Sequence, residues 1–185
     1  MVYILLGAGF EEAEALVTAD LLRRAGLPVT LAGIGGRTIT GSHAITVQAD
    51  LPVEAVTLQA GDMMVMPGGL GGVTSMENSP AAMALIRQAW NDPDLWLAAI
   101  CAAPTLLARA GLIGPGVHAV CYPGMEGELS DAGVTPVMDQ PVVAQDKLIT
   151  GRAPGAAFDF GLALVEVLAG TAAADQVRAG LHYAV

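Results

Sequence analysis

A chain of 185 residues, 54% hydrophobic and only 14% charged, is long enough to bury a sizeable core, and its 23 glycines and 11 prolines suit buried strands joined by tight turns. A formal net charge of −10 argues against nucleic acid and anionic membrane as partners, and no apolar run has the length of a membrane-spanning helix. The N-terminus enters an apolar run with no basic segment ahead of it, and the two cysteines, Cys101 and Cys121, form no disulfide framework or zinc spacing, so a cytoplasmic protein with reduced thiols is expected.

In chain order, residues 2–6 read as an apolar strand followed by the loop Gly7-Ala8-Gly9-Phe10. Residues 11–25 read as a helix, with Ala15, Leu16, Ala19, Leu21 and Leu22 at helical spacing and Gly26 as the C-cap. A second strand spans 29–32, residues 35–41 are turn-rich, and 45–48 alternates as a short strand near a sheet edge. The apolar strand 63–66 runs into Pro67-Gly68-Gly69-Leu70-Gly71-Gly72, read as a loop; Ser79 then caps a helix opened by Pro80 and reaching Asn91. Residues 96–100 form another buried strand, and Pro104 opens a helix over 105–110. Beyond it come a turn and strand within 111–120, a polar loop over 122–133, and short strands at 134–138, 142–145 and 148–150 with a turn at Asp146. The last helices are 154–168, with Phe158, Leu162 and Val165 on one face, and 172–181. This alternation predicts a single domain over residues 1–185, an α/β fold whose doubly wound, mostly parallel sheet is flanked by helices.

The chemistry concentrates where the strand 96–100 ends on Cys101. Strand, cysteine, tight turn and helix give a nucleophile elbow with sulfur in place of a serine hydroxyl, small alanines leaving room around it. The unpaired N–H groups and dipole of the helix start favour a thiolate. The same cysteine also reads as a small buried hydrophobe. Three loops follow apolar strands, 7–14, 67–72 and 101–104, and in an open parallel sheet such loops converge on one site. Gly68 and Gly69 can turn backbone N–H groups toward a ligand. Glu14 can point at the sulfur; desolvated beside like charge, it should stay protonated and donate a hydrogen bond, although it also reads as a solvated acid at a helix start. Gly7-x-Gly9 is part of a dinucleotide fingerprint, but position 12 is glutamate, and Glu11, Glu12 and Glu14 would repel a pyrophosphate. No cofactor and no metal is therefore expected.

The segments GFEEAEALVTADLLRRAGLPVTLAG, MPGGLGG, AAICAAPTLLA and GRAPGAAFDFGLALVEVLAG together resemble the ThiJ/PfpI superfamily, most closely the branch of the Parkinson's-disease protein and YajL. The resemblance covers nearly the whole chain. It implies a flavodoxin-like sandwich, usually a homodimer, with Cys101 as the reactive, oxidation-prone cysteine and Glu14 as its protonated partner. It further implies an anion pocket formed by Gly68, Gly69 and the backbone at Ala102, walled by the segment carrying Pro154. Protease-like members carry histidine directly after the cysteine, where this chain has Ala102, so a Cys-His protease is not expected. Members with glyoxalase-type activity place histidine before a proline after the elbow helix, and here the pair is Tyr122-Pro123, which fits the YajL-like branch. His43 falls near a basic position of relatives and reads either as an anion contact or as a surface loop histidine. Cys121 reads as a resolving thiol or, preferably, a small loop residue. The function expected is a stress-response protein whose cysteine acts on reactive carbonyls of the methylglyoxal type, weakly, or on peroxide. The alternatives are a redox-regulated chaperone without turnover and a purely structural dimer.

Overall fold

The computed structural model describes residues 1–183. Eleven strands and seven α-helices alternate along them, beginning with β1 (Val2–Leu6), α1 (Glu12–Arg24) and β2 (Val29–Gly33). A small antiparallel hairpin, β3 (Thr38–Thr40) with β4 (Thr46–Gln48), follows, then β5 (Leu51–Pro52), β6 (Met63–Met66), α2 (Leu70–Glu77), α3 (Pro80–Asn91) and β7 (Trp96–Ile100). The second half holds α4 (Ala103–Arg109), β8 (His118–Ala119), α5 (Glu126–Asp131), β9 (Thr135–Pro136), β10 (Val142–Gln145), β11 (Leu148–Gly151), α6 (Ala157–Ala169) and α7 (Thr171–Leu181).

Seven strands form the central sheet in the order β10-β11-β7-β6-β1-β2-β5, parallel except for the hairpin between β10 and β11. The residues of β6 and β7 are apolar without alternation because helices cover both faces; Met63 to Met66 and Leu97 to Ile100 are all buried. α1 and α7 both pack on α6, with Gly161 so close to Leu21 that an added Cβ would lie 2.6 Å from its Cδ1. α3 packs on β6 and β7, and α4 on β7. From β1 the chain runs outward through β2 to β5, then returns to place β6 on the other side of β1. The crevice at this reversal lies outside the carboxyl ends of the strands, the usual ligand position of such sheets. No helix among the described residues is long and apolar enough to cross a membrane.

The doubly wound, mostly parallel architecture is the one expected. Several local expectations are corrected. The glycine-rich stretch after β6 does not continue as loop but becomes α2 at Leu70. Its glycines serve packing: a Cβ on Gly72 would lie 2.7 Å from Phe10 Cα, and one on Gly71 would lie 3.0 Å from the Ala8 carbonyl oxygen. The polar stretch after Tyr122 contains α5, and the segment 35–41, read as turns, contains β3, the first strand of the hairpin. The elbow helix starts at Ala103, two residues earlier than the proline rule suggested. Residues 154–156 form a 3-10 turn ahead of α6, and Phe158 faces outward, stacked on Tyr183 with ring centroids 5.1 Å apart, while Phe160 fills the core.

Candidate functional site

Three strand ends build the site. After β1 the chain turns at Gly9 (φ +79°) and buries Phe10, which locks the start of α1 against the sheet. After β6 the Gly68 carbonyl accepts from Glu11 N–H at 3.0 Å, tying the first two loops together. Gly69 is left-handed (φ +81°), and a Cβ there would lie 2.4 Å from the Gly9 carbonyl oxygen, so only glycine fits. After β7 Cys101 itself takes a left-handed conformation, φ +67°. Its N–H donates to the Gly151 carbonyl at 2.9 Å, and its carbonyl accepts from Tyr122 N–H at 2.8 Å. The cysteine is thus pinned on both sides in a backbone conformation that costs a non-glycine residue ~1–2 kcal/mol.

Glu14 comes to the sulfur from below. It is fully buried on the first turns of α1, and its Oε2 accepts from Gly68 N–H at 2.6 Å. Oε1 has no protein partner in hydrogen-bond geometry. Gly68 is the spacer of this arrangement: a Cβ there would lie 2.6 Å from Cys101 Cβ, 2.7 Å from Glu14 Oε2 and 3.0 Å from Sγ. Burial dominates the electrostatics. It raises the Glu14 carboxyl to about 7, against the opposing effects of the Cys101 thiol and the Gly68 N–H. Up to neutrality Glu14 therefore keeps its proton. Burial also raises the thiol, followed by the neighbouring Glu14 carboxyl; the N–H groups of Gly69 and Ala102 pull the other way and do not prevail. The expectation of a thiol lowered by the helix start is corrected here. α4 has only seven residues, and desolvation outweighs what its first N–H groups supply.

Above the sulfur lies an open cleft of about 1070 Å³. Cys101, Gly69, Ala102, His43, Tyr122 and Pro154 all line it, while Glu14 and Gly68 sit beneath. His118 and His182 lie outside it, and so does Cys121, whose Sγ donates to the Tyr122 carbonyl at 3.6 Å. Burial pushes the Cys121 thiol up to about 12, with Glu126 and Glu128 adding to the effect.

Two other cleft residues, Ser42 and Met125, carried no signal in the sequence, while Glu11 and Leu70 fell in the two loops expected at the site but were given no role there. Glu12, read there only as a repelling charge, anchors the loop that closes one side. Burial alone would raise its carboxyl, but the backbone N–H groups of Glu12 itself, His43 and Ile45, with the His43 ring, bring it down to about 2. Its Oε1 accepts from His43 N–H at 2.7 Å, and its Oε2 lies 3.0 Å from His43 Nδ1 and 3.1 Å from Ser42 Oγ. The His43 ring is exposed, and Glu12, then Glu11, raise its pKa. Glu11, Glu12 and His43 bring their ligand-type atoms within 4.8 Å of one another, but both Glu12 oxygens already serve the loop.

The family model described as "DJ-1/PfpI family" matches residues 1–167. The chain belongs to this family. Among its relatives is Protein dj-1beta of Drosophila melanogaster, 39% identical over 179 residues, covering 96% of this chain and 94% of that one. The protein named glutathione-independent glyoxalase DJR-1.2 of Caenorhabditis elegans is 31% identical over 160 residues, covering 86% and 83%. The solved structure of Toxoplasma gondii DJ-1, oxidized, superposes with a TM-score of 0.90 at 31% identity and covers 100% of this chain and 98% of its own. The family match covers residues 1–167, and the fold likeness extends over the full chain, well beyond the elbow.

Proposed function

We propose that this DJ-1/PfpI protein is a cytoplasmic stress-response protein, homodimeric like the family it resembles, whose Cys101 adds to small electrophiles. The observation that carries the reading is the placement of Cys101: left-handed, at the floor of a cleft, between the Glu14 carboxyl and the N–H groups of Gly69 and Ala102. With a reactive carbonyl, Sγ bonds to the carbonyl carbon and the thiol proton passes to the new alkoxide oxygen by way of Glu14, leaving a thiohemiacetal. The backbone N–H groups stabilise the oxygen as its charge develops. With peroxide, Sγ takes one oxygen to give sulfenic acid and releases water; a second equivalent gives sulfinate. The name of the nematode relative supports the carbonyl route, and the oxidized Toxoplasma structure supports the peroxide route.

Turnover by this arrangement is slow. The thiol is raised rather than lowered, and the His43 ring that lines the cleft is held by Glu12. Steady consumption of methylglyoxal that disappears in Cys101→Ser is the expected result. The same two facts favour a second reading, a redox-regulated chaperone without turnover. Suppression of aggregation that survives Cys101→Ser, with no methylglyoxal consumption by the wild type, would select it.

A further inference from the structure

The cleft is built for more than a three-carbon oxoaldehyde. Its volume of about 1070 Å³ matches the top of the ~300–1,000 Å³ range that takes up whole drug-sized ligands. Much of its lining is apolar: Leu70, Tyr122, Pro123, Met125 and Pro154, from three separate segments, line the same space as Cys101. Leu70 is 72% exposed and Tyr122 46%, so two large hydrophobic side chains stand in solvent at the mouth of the cleft that holds the reactive thiol. Scattered exposed hydrophobics need no explanation, but two on the same cleft as a nucleophile form a surface that a ligand would cover. The polar lining comes from Glu11, Ser42 and His43, and among the described residues of this chain no lysine or arginine lines the cleft. Glu11 lines it as an acid, and the His43 ring lies 3.0 Å from Glu12 Oε2 and 3.6 Å from Glu11 Oε2. A substrate carboxylate would meet Glu11 without an unpaired counter-charge.

We infer that the substrate class is an uncharged aliphatic aldehyde of medium chain length, its carbonyl at Cys101 and its chain along the Leu70–Tyr122 wall. This rests on the carbonyl reading given above. The step needs no oxidant and no leaving group. Sγ bonds to the carbonyl carbon, the C=O π pair moves to oxygen, and the thiol proton travels through the Glu14 carboxyl to that oxygen. The product is a neutral, reversible thiohemiacetal.

The test is protection of Cys101 from iodoacetamide in the full chain, read by peptide mass mapping, across the saturated aldehydes from propanal to nonanal, with methylglyoxal alongside. Complete burial of one methylene strengthens binding roughly fourfold, and on a half-open wall about twofold is expected for each added carbon until the wall is covered. Leu70→Asp, at an exposed position, should flatten that series. Equal protection at every chain length would overturn the chain-length inference while keeping the carbonyl reading. A steep series that persists in Leu70→Asp would overturn it too, because the chain would then lie elsewhere. Protection by none of the aldehydes, methylglyoxal included, would overturn both.

Discussion

Replacing Glu14 by glutamine should change how stability depends on pH. The folded carboxyl holds its proton up to about 7, against an ordinary value of 4.5, because burial penalises its charged form. Between those two values the folded state binds more protons than the unfolded chain, so stability falls as pH rises through the window and is lower by a constant amount above it. At ~1.4 kcal/mol per tenfold change the interval corresponds to about 3 kcal/mol. Glutamine retains an oxygen for the Gly68 N–H but has no proton to lose, so Glu14→Gln should lack this decline. Urea unfolding of both proteins at fixed concentration, at several pH values from 4 to 8, gives the difference curve. The histidines are common to both chains and cancel. The variant should gain about 3 kcal/mol on the wild type from the acid to the neutral end of the range. Parallel curves would refute the reasoning, since they would mean that Glu14 is ionised in the fold at its ordinary pH.

The site makes further demands. Cys101 should alkylate faster than Cys121 at neutral pH, because it opens on the cleft while Cys121 is buried outside it; mass-mapped labelling with equal rates would contradict this. Glu12→Ala should speed amide exchange at His43 and Ile45 by tenfold or more while leaving β6 and β7 protected, since Glu12 Oε1 accepts from both amides. Tyr122→His should raise methylglyoxal turnover, because a phenol with a pKa of ~10 is a poor general base at neutrality, and Tyr122→Phe should change little. A fast wild type crippled by Tyr122→Phe would show that the phenol moves the proton.

The strands and long helices were legible because period and punctuation agreed. Trp96 to Ile100 is apolar throughout, and Ser79-Pro80 announces α3, where Ser79 Oγ accepts from Ala82 N–H at 3.2 Å. The misreadings share one cause, contact with distant parts of the chain. Gly71 and Gly72 looked like loop residues, yet they are helical because Ala8 and Phe10 pack against them. Glu12 read only as a charge that would repel a pyrophosphate, because nothing local showed that the hairpin loop delivers His43 and Ile45 to it. The elbow was visible in the order of residues around Cys101, but the direction of its thiol pKa was not. That direction depends on burial by Gly68 and on Glu14, which approaches from another strand end.

The left-handed backbone at Cys101 sets the proposed chemistry against durability at a single position. Glycine there would relieve the strain, ~1–2 kcal/mol, and leave the turn intact, but it would carry no sulfur. Selection for heat tolerance alone, with the chemistry left unscreened, should therefore erode this residue early.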